Sequence, residues 1–169
     1  MNAMMGRMND QSNTDLIERF YTAFAERDGA EMAACYAPDA HFSDPVFTDL
    51  DGREAGAMWR MLTERGQDLK IDLVEHEANE AGGSARWIAR YTFGETGRPV
   101  INDVQASFAI ENGKIVDHHD DFSFYDWSRQ ALGASGFPAA EPLLAATLAE
   151  AKGDEALRRV AALALGQIG

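Results

Sequence analysis

The sequence predicts an α+β domain in which helices come first and an antiparallel sheet follows. Three observations predict it. Up to about residue 66, apolar residues recur at three- and four-residue spacing, the period of a helix with one buried face. Beyond Leu69 the pattern switches to alternation, the period of a strand. The alternating runs are joined by the short turn signals Gly82-Gly83, Thr96-Gly97 and Asn112-Gly113, which leave room only for a meander.

Each element has a local reason. Thr14 is read as the cap of a helix running to about Arg27, with Leu16, Ile17, Phe20, Tyr21 and Phe24 on one stripe. Asp28-Gly29 breaks it. A short second helix places Met32, Cys35 and Tyr36 inward and stops at Pro38. His41 to Pro45 reads as a short strand, and 46–51 as a loop. A third helix runs from near Gly52 to Gly66, with Met58, Met61 and Leu62 as its buried face. Leu69, Ile71 and Leu73 then alternate with polar residues. Arg86 to Phe93, Val100 to Ile110 and Lys114 to Tyr125 are the strands that follow, and Asn112-Gly113 is the strongest hairpin signal. Asp126 to Leu132 is one or two helical turns. Two Ala/Leu-rich helical segments, 141–152 and 154–165, complete the chain. The division expected is a disordered stretch at 1–12, a domain at 13–132 and a helical extension at 133–169, which packs on the domain or on a second subunit.

The chain has 169 residues, of which 46% are hydrophobic and 25% charged, the balance of an ordinary globular domain. Lys and Arg number 15 against 28 Asp and Glu, a formal charge of −13. Such a surface repels phosphate backbones and anionic bilayers, so neither nucleic acid nor a membrane is an expected partner. Cys35 is the one cysteine, which excludes an intrachain disulfide and a cysteine-based zinc site. No apolar run is long enough to span a bilayer, and the first residues lack the basic and apolar regions of a secretory signal. The expected location is the cytoplasm.

Two clusters carry possible chemistry. One is His41-Phe42-Ser43-Asp44-Pro45, the other Asp117-His118-His119-Asp120-Asp121. Alternation puts Val116, His118, Asp120 and Phe122 on one face, and this face has an apolar residue at both ends, so His118 and Asp120 are read as inward. On the preceding strand Asn102, Val104, Ala106 and Phe108 share the inner face. A carboxylate among apolar side chains loses hydration, its pKa rises, and it becomes a proton carrier near neutral pH. A histidine two residues away can orient it or relay its proton. The same residues also fit a structural ion network, and Asp44 also fits a loop cap ahead of Pro45. Consecutive histidines point to opposite faces, so no metal site is expected. Trp59, Trp87 and Trp127 read as core or interface, Tyr21 and Tyr36 as core helix residues, and Cys35 as an inert buried thiol. No phosphate-binding glycine loop and no serine nucleophile elbow is present.

The order of elements, the run from Tyr36 to Pro45 and the Gly52-Arg53-Glu54-Ala55 that follows resemble the nuclear-transport-factor-2-like superfamily over about Asp15 to Leu132. That superfamily includes ketosteroid isomerases, SnoaL-type polyketide cyclases and limonene-epoxide hydrolases. The resemblance implies a cone-shaped, strongly curved antiparallel sheet wrapped around the N-terminal helices, an apolar pocket at its open end, and a homodimer. Asp44 falls on the Asp-Pro motif that supplies the base in ketosteroid isomerases, while their two oxyanion-hole positions hold Phe20 and Gln105. Tyr21 lies one residue away, about 100° around the helix. Asp120 falls on the water-activating aspartate of limonene-epoxide hydrolases. Their partner Arg-x-Asp, sought near Trp87 and Ala89, is missing, and Phe42 and Asp44 replace their Tyr-x-Asn. SnoaL-like cyclases carry a last-strand motif matched by Gly113 to Asp120, in which the aspartate acts as general base without a cofactor.

The expectation is therefore a cofactor-free acid/base enzyme of isomerase, cyclase or hydratase type, acting on a small apolar molecule. Asp120 is the base, His118 its partner and Asp44 a second carboxylate. Phe20, Phe24, Phe42, Met58, Trp59, Asn102, Val104, Ala106 and Phe122 line the pocket, with Asn102 placed to hold a substrate oxygen. The alternative is a ligand-binding or dimerisation module of the same fold.

Overall fold

The computed structural model describes residues 2–94 and 96–133. Helix α1 (Asn2–Ala25) is followed by α2 (Gly29–Ala34), strand β1 (Tyr36–Ser43), the short β2 (Leu50–Asp51) and α3 (Gly52–Arg65). The meander β3 (Lys70–Asn79), β4 (Gly82–Phe93), β5 (Arg98–Glu111) and β6 (Lys114–Asp121) comes next, and α4 (Phe124–Leu132) closes the described chain. The six strands form one sheet in the order β2-β1-β6-β5-β4-β3. The meander pairs are antiparallel as predicted, whereas β1 lies parallel to β6. The helical segments predicted at 141–152 and 154–165 lie outside the described residues.

The helix starts follow local chemistry. Asp28 caps α2 through the Glu31 amide, and Asp51 and Glu54 form a reciprocal capping box at α3. At α1 the prediction fails. Thr14 lies inside the helix, its hydroxyl donating to the Asp10 carbonyl at 2.8 Å, and α1 reaches back to Asn2 instead of leaving 1–12 outside. Buried Asn13 helps to hold this region by donating to the Asn79 carbonyl at 2.7 Å.

Three other boundaries are corrected. Cys35 ends α2 and Tyr36 opens β1, so the second helix stops before Tyr36 and the strand starts well ahead of His41. Pro38 is accommodated because the β1–β6 register shifts between Tyr36 and His41. Gly82-Gly83 is not a turn but the start of β4. The turn lies at 80–81, with the Asn79 side chain accepting from the Ala81 and Gly82 amides. A Cβ on Gly82 would stand 1.9 Å from the Phe108 carbonyl oxygen, so glycine is needed there for close strand approach. Finally, β6 ends at Asp121 rather than Tyr125, because Ser123 caps α4 through the Asp126 amide.

The Asn112-Gly113 hairpin forms as predicted, with φ of 50° and 71° matching the twist of the paired strands. One face of the sheet packs on α1 and α3 around Phe20, which is fully buried. Its ring meets those of Tyr21, Tyr36, Trp59, Phe108 and His118 edge-on at 5.2–6.2 Å. Burying one such side chain contributes about 2–3 kcal/mol. On α3, Met58 is buried and Met61 partly so, but Leu62 is 37% exposed, having rotated past the edge of the buried stripe.

Candidate active site

Strand β6 sets the site by alternation and by one irregularity. Ile110 faces Ile115 and Ala109 faces Asp117, so Val116 is an extra residue on β6. The bulge resets the alternation. Ile115 points inward before it, and His118 and Asp120 point inward after it, at 0% and 2% exposure. Val116 itself is only partly buried. His119 faces out and meets the Ser43 hydroxyl at 2.9 Å, and exposed His41 meets Asp49.

His118 sits in an aromatic box. Phe42 faces it from β1 and Phe108 from β5, with ring centroids 5.0 and 4.3 Å away, and Trp59 and Tyr36 stack at 6.1 and 6.0 Å. Its two nitrogens are both engaged. Trp59 Nε1 donates to the Tyr36 hydroxyl oxygen at 2.8 Å, that hydroxyl lies 2.6 Å from His118 Nδ1, and His118 Nε2 lies 2.9 Å from Asp120 Oδ1. Proton accounting orders this chain. An indole N–H can only donate, so the Tyr36 oxygen accepts there and gives its own proton to Nδ1. Nδ1 is then the acceptor, and Nε2–H donates to the Asp120 carboxylate. The relay runs Trp59 to Tyr36 to His118 to Asp120, with a proton on Nε2 facing the carboxylate. Asp120 Oδ2 has no partner among the described residues.

Asp44 enters from the loop after β1. Its Oδ1 accepts from the amides of Val46 and Phe47 at 2.7 and 2.5 Å, the Asx turn that Asp-Pro favours. Asp44 is partly buried. Loss of hydration pushes its carboxyl up to about 7, the two amide donors pull against that, and the charge of Asp120 adds to the rise. The charge of Asp120 is thus felt at Asp44, and the pairing of β1 with β6 sets Phe42 opposite His118 and Ser43 opposite His119.

Among the residues expected around this interior, Phe20, Phe24, Phe42, Met58, Trp59, Val104 and Ala106 are buried, while Asn102 on β5 and Phe122, just past the end of β6, are partly buried. Sequence reasoning missed Tyr36 and Trp59 as polar members of the site. The available signal was their type, since a buried phenol or indole needs a partner. Among the described residues no three His, Cys, Asp or Glu side chains gather to hold a metal ion. A separate cavity of about 500 Å³ opens between α2, β1 and α3, but none of Asp44, His118 and Asp120 lines it. No helix among the described residues is long and apolar enough to cross a membrane.

Comparison with known proteins bears on the fold. A family model described as a SnoaL-like domain matches residues 17–118, ending two residues short of Asp120. A candidate polyketide cyclase from Xanthomonas campestris pv. campestris superposes with a TM-score of 0.62 at 21% identity, over 73% of this chain and 98% of its own. An LEH-like epoxide hydrolase from M. tuberculosis gives 0.62 at 18% identity, over 81% and 98%. An NTF2-like protein of unknown function from Burkholderia pseudomallei gives 0.63 at 19%, over 72% and 98%. At these identities the likeness is one of fold. No curated protein matches the sequence.

Proposed function

The chain belongs to the SnoaL-like domain family, and from that premise we propose that it is a cofactor-free acid/base enzyme, of isomerase, cyclase or hydratase type, acting on a small apolar molecule. The observation that carries this reading is the buried relay ending on Asp120, with a second carboxyl near neutrality beside it. Similarity in fold to the polyketide cyclase and the epoxide hydrolase supports a small-molecule substrate.

The chemistry follows from the proton arrangement. Asp120 keeps Oδ2 for substrate while His118 holds Oδ1. Its carboxylate takes a proton from an acidic carbon next to a carbonyl, and the electron pair moves onto the carbonyl oxygen. His118 is the positioning residue, locked by Tyr36 and Trp59. A carboxyl titrating near 7 is half protonated at neutral pH, so Asp44 can supply a proton to the developing enolate. The surrounding Phe20, Phe42 and Val104 exclude water, which strengthens these charge interactions. The same reading takes a homodimer as the assembly and the cytoplasm as the location.

Proton abstraction can be tested without knowing the natural substrate. The protein is incubated with 1-indanone in D₂O, and loss of the C2 proton signal is followed by NMR. The expected result is exchange above the buffer rate that Asp120→Asn abolishes. Exchange that survives Asp120→Asn removes Asp120 as the base. Saturable binding without exchange favours a ligand-binding module.

A further inference from the structure

Two buried polar groups take no part in the relay. The Tyr21 hydroxyl on α1 and the Trp87 indole N–H on β4 have no hydrogen-bond partner among the described residues, although the two side chains are 2% and 6% exposed. A buried donor without a partner loses its hydration for nothing in return, so two of them side by side call for an explanation. Their rings are neighbours, with centroids 6.1 Å apart.

Both lie close to the carboxylate site. Tyr21 packs edge-on against Phe108 at 6.3 Å, and Phe108 faces His118 across the β5–β6 pair. The charge of Asp120 is felt at the Tyr21 hydroxyl and helps to keep it protonated, after burial itself. The sheet surface next to Asp120 is low. Ala106 faces Asp120, and Ala85 faces Ala106, so that row carries only methyl groups before Trp87 rises two residues along β4. Trp87 and the Tyr21 ring packed against it bring a phenol O–H and an indole N–H to this part of the sheet. One is a donor that can also accept, the other only donates.

We propose that Tyr21 and Trp87 form a two-donor seat for an acceptor oxygen, a carbonyl or enolate, of a small apolar ligand lying between them and Asp120. The inference rests on the reading that this interior takes a small molecule, and it adds which atoms of that molecule are recognised. It also gives the site the electrophilic element that Phe20 and Gln105 do not supply. Donors that reach such an oxygen strengthen as charge builds on it, the requirement for stabilising an enolate.

The experiment compares 1-indanone with indane, which has the same ring shape without the oxygen. Both are titrated into protein carrying ¹⁵N-labelled tryptophan, and the Trp87 indole N–H resonance is assigned with Trp87→Phe. The expected result is a saturable downfield shift of that resonance with 1-indanone, and at least tenfold tighter binding of 1-indanone than indane. Tyr21→Phe should cut that preference about tenfold while indane affinity stays unchanged. An unmoved Trp87 resonance, equal binding of the two ligands, no binding of either, or an unchanged preference in Tyr21→Phe overturns the proposal. The outcomes separate from those of the exchange assay. A preference lost in Tyr21→Phe without any proton exchange keeps the seat and removes the catalytic reading. Exchange that depends on Asp120, with preference unaffected by Tyr21, does the reverse.

Discussion

Removing one hydroxyl from Tyr36 and one from Tyr21 is the same chemical edit at two buried sites, 5% and 2% exposed, yet the two changes should have opposite consequences. In Tyr36→Phe the Trp59 N–H loses its acceptor at 2.8 Å, and His118 Nδ1 loses its donor at 2.6 Å. Each group is then buried without a partner, at about 1–3 kcal/mol apiece, so the change should cost about 2–6 kcal/mol. That is a large share of the roughly 5–15 kcal/mol that holds a domain of this size together. In Tyr21→Phe the hydroxyl has no partner to lose among the described residues. Its removal relieves an uncompensated polar group and should leave stability unchanged or raise it by about 1 kcal/mol. Urea unfolding followed by far-UV circular dichroism measures both, provided the m-value is unchanged. A double-mutant cycle of Tyr36→Phe with Trp59→Phe should then give a coupling of at least about 1 kcal/mol. A Tyr36→Phe protein within about 0.5 kcal/mol of the parent, or equal costs for the two tyrosine changes, would mean that the Tyr36 hydroxyl does not hold Trp59 and His118 as described.

Other perturbations test separate parts of the account. Asp120→Asn retains an oxygen for the His118 N–H, so unfolding midpoints should barely move, while 1-indanone exchange falls about 10²–10⁴-fold; a fall below threefold counts against the base assignment. The Asp44 carboxyl binds its proton more tightly in the folded protein, at about 7, than in the unfolded chain at about 3.9. Its contribution to stability is therefore complete below about pH 4, is lost as pH rises towards 7, and is flat above. The loss is a few kcal/mol as an upper bound, reduced because Asp44 is only partly buried. Asp44→Asn keeps both amide contacts and should be more stable than the parent at pH 8 but not at pH 4, in thermal melts at both values. Gly82→Ala drives a methyl against the Phe108 carbonyl and should cost about 3 kcal/mol by opening the β4–β5 pair, readable by urea unfolding.

Much of this structure is written in short-range pattern. Asp51-x-x-Glu54 announces a capping box and Asn112-Gly113 a hairpin, because both depend on neighbours in sequence. Alternation alone turns His118 and Asp120 inward, even though the apolar partner used to orient them, Val116, turned out to be a bulge residue, and Ile115 is the side chain fully buried there. What was not legible depends on distant pairing. Tyr36 looks like the end of a helix stripe until β1 lies parallel to β6 and faces it to Ile115. Only then do Tyr36 and Trp59, 23 residues apart, meet His118. Gly82-Gly83 misled for a related reason. A glycine pair signals a turn locally, but here it serves the close approach of a strand 26 residues further on. The unpaired donors of Tyr21 and Trp87 were likewise invisible, because a missing partner is a property of the packed interior.

A carboxyl ¹³C NMR titration of aspartate-labelled protein reads whether Asp44 and Asp120 share one dehydrated interior. Asp44 is expected to titrate near 7, with a midpoint that falls when Asp120→Asn removes the neighbouring charge. An Asp44 midpoint in the usual carboxylate range near 4, or one that ignores the Asp120 substitution, contradicts a shared interior.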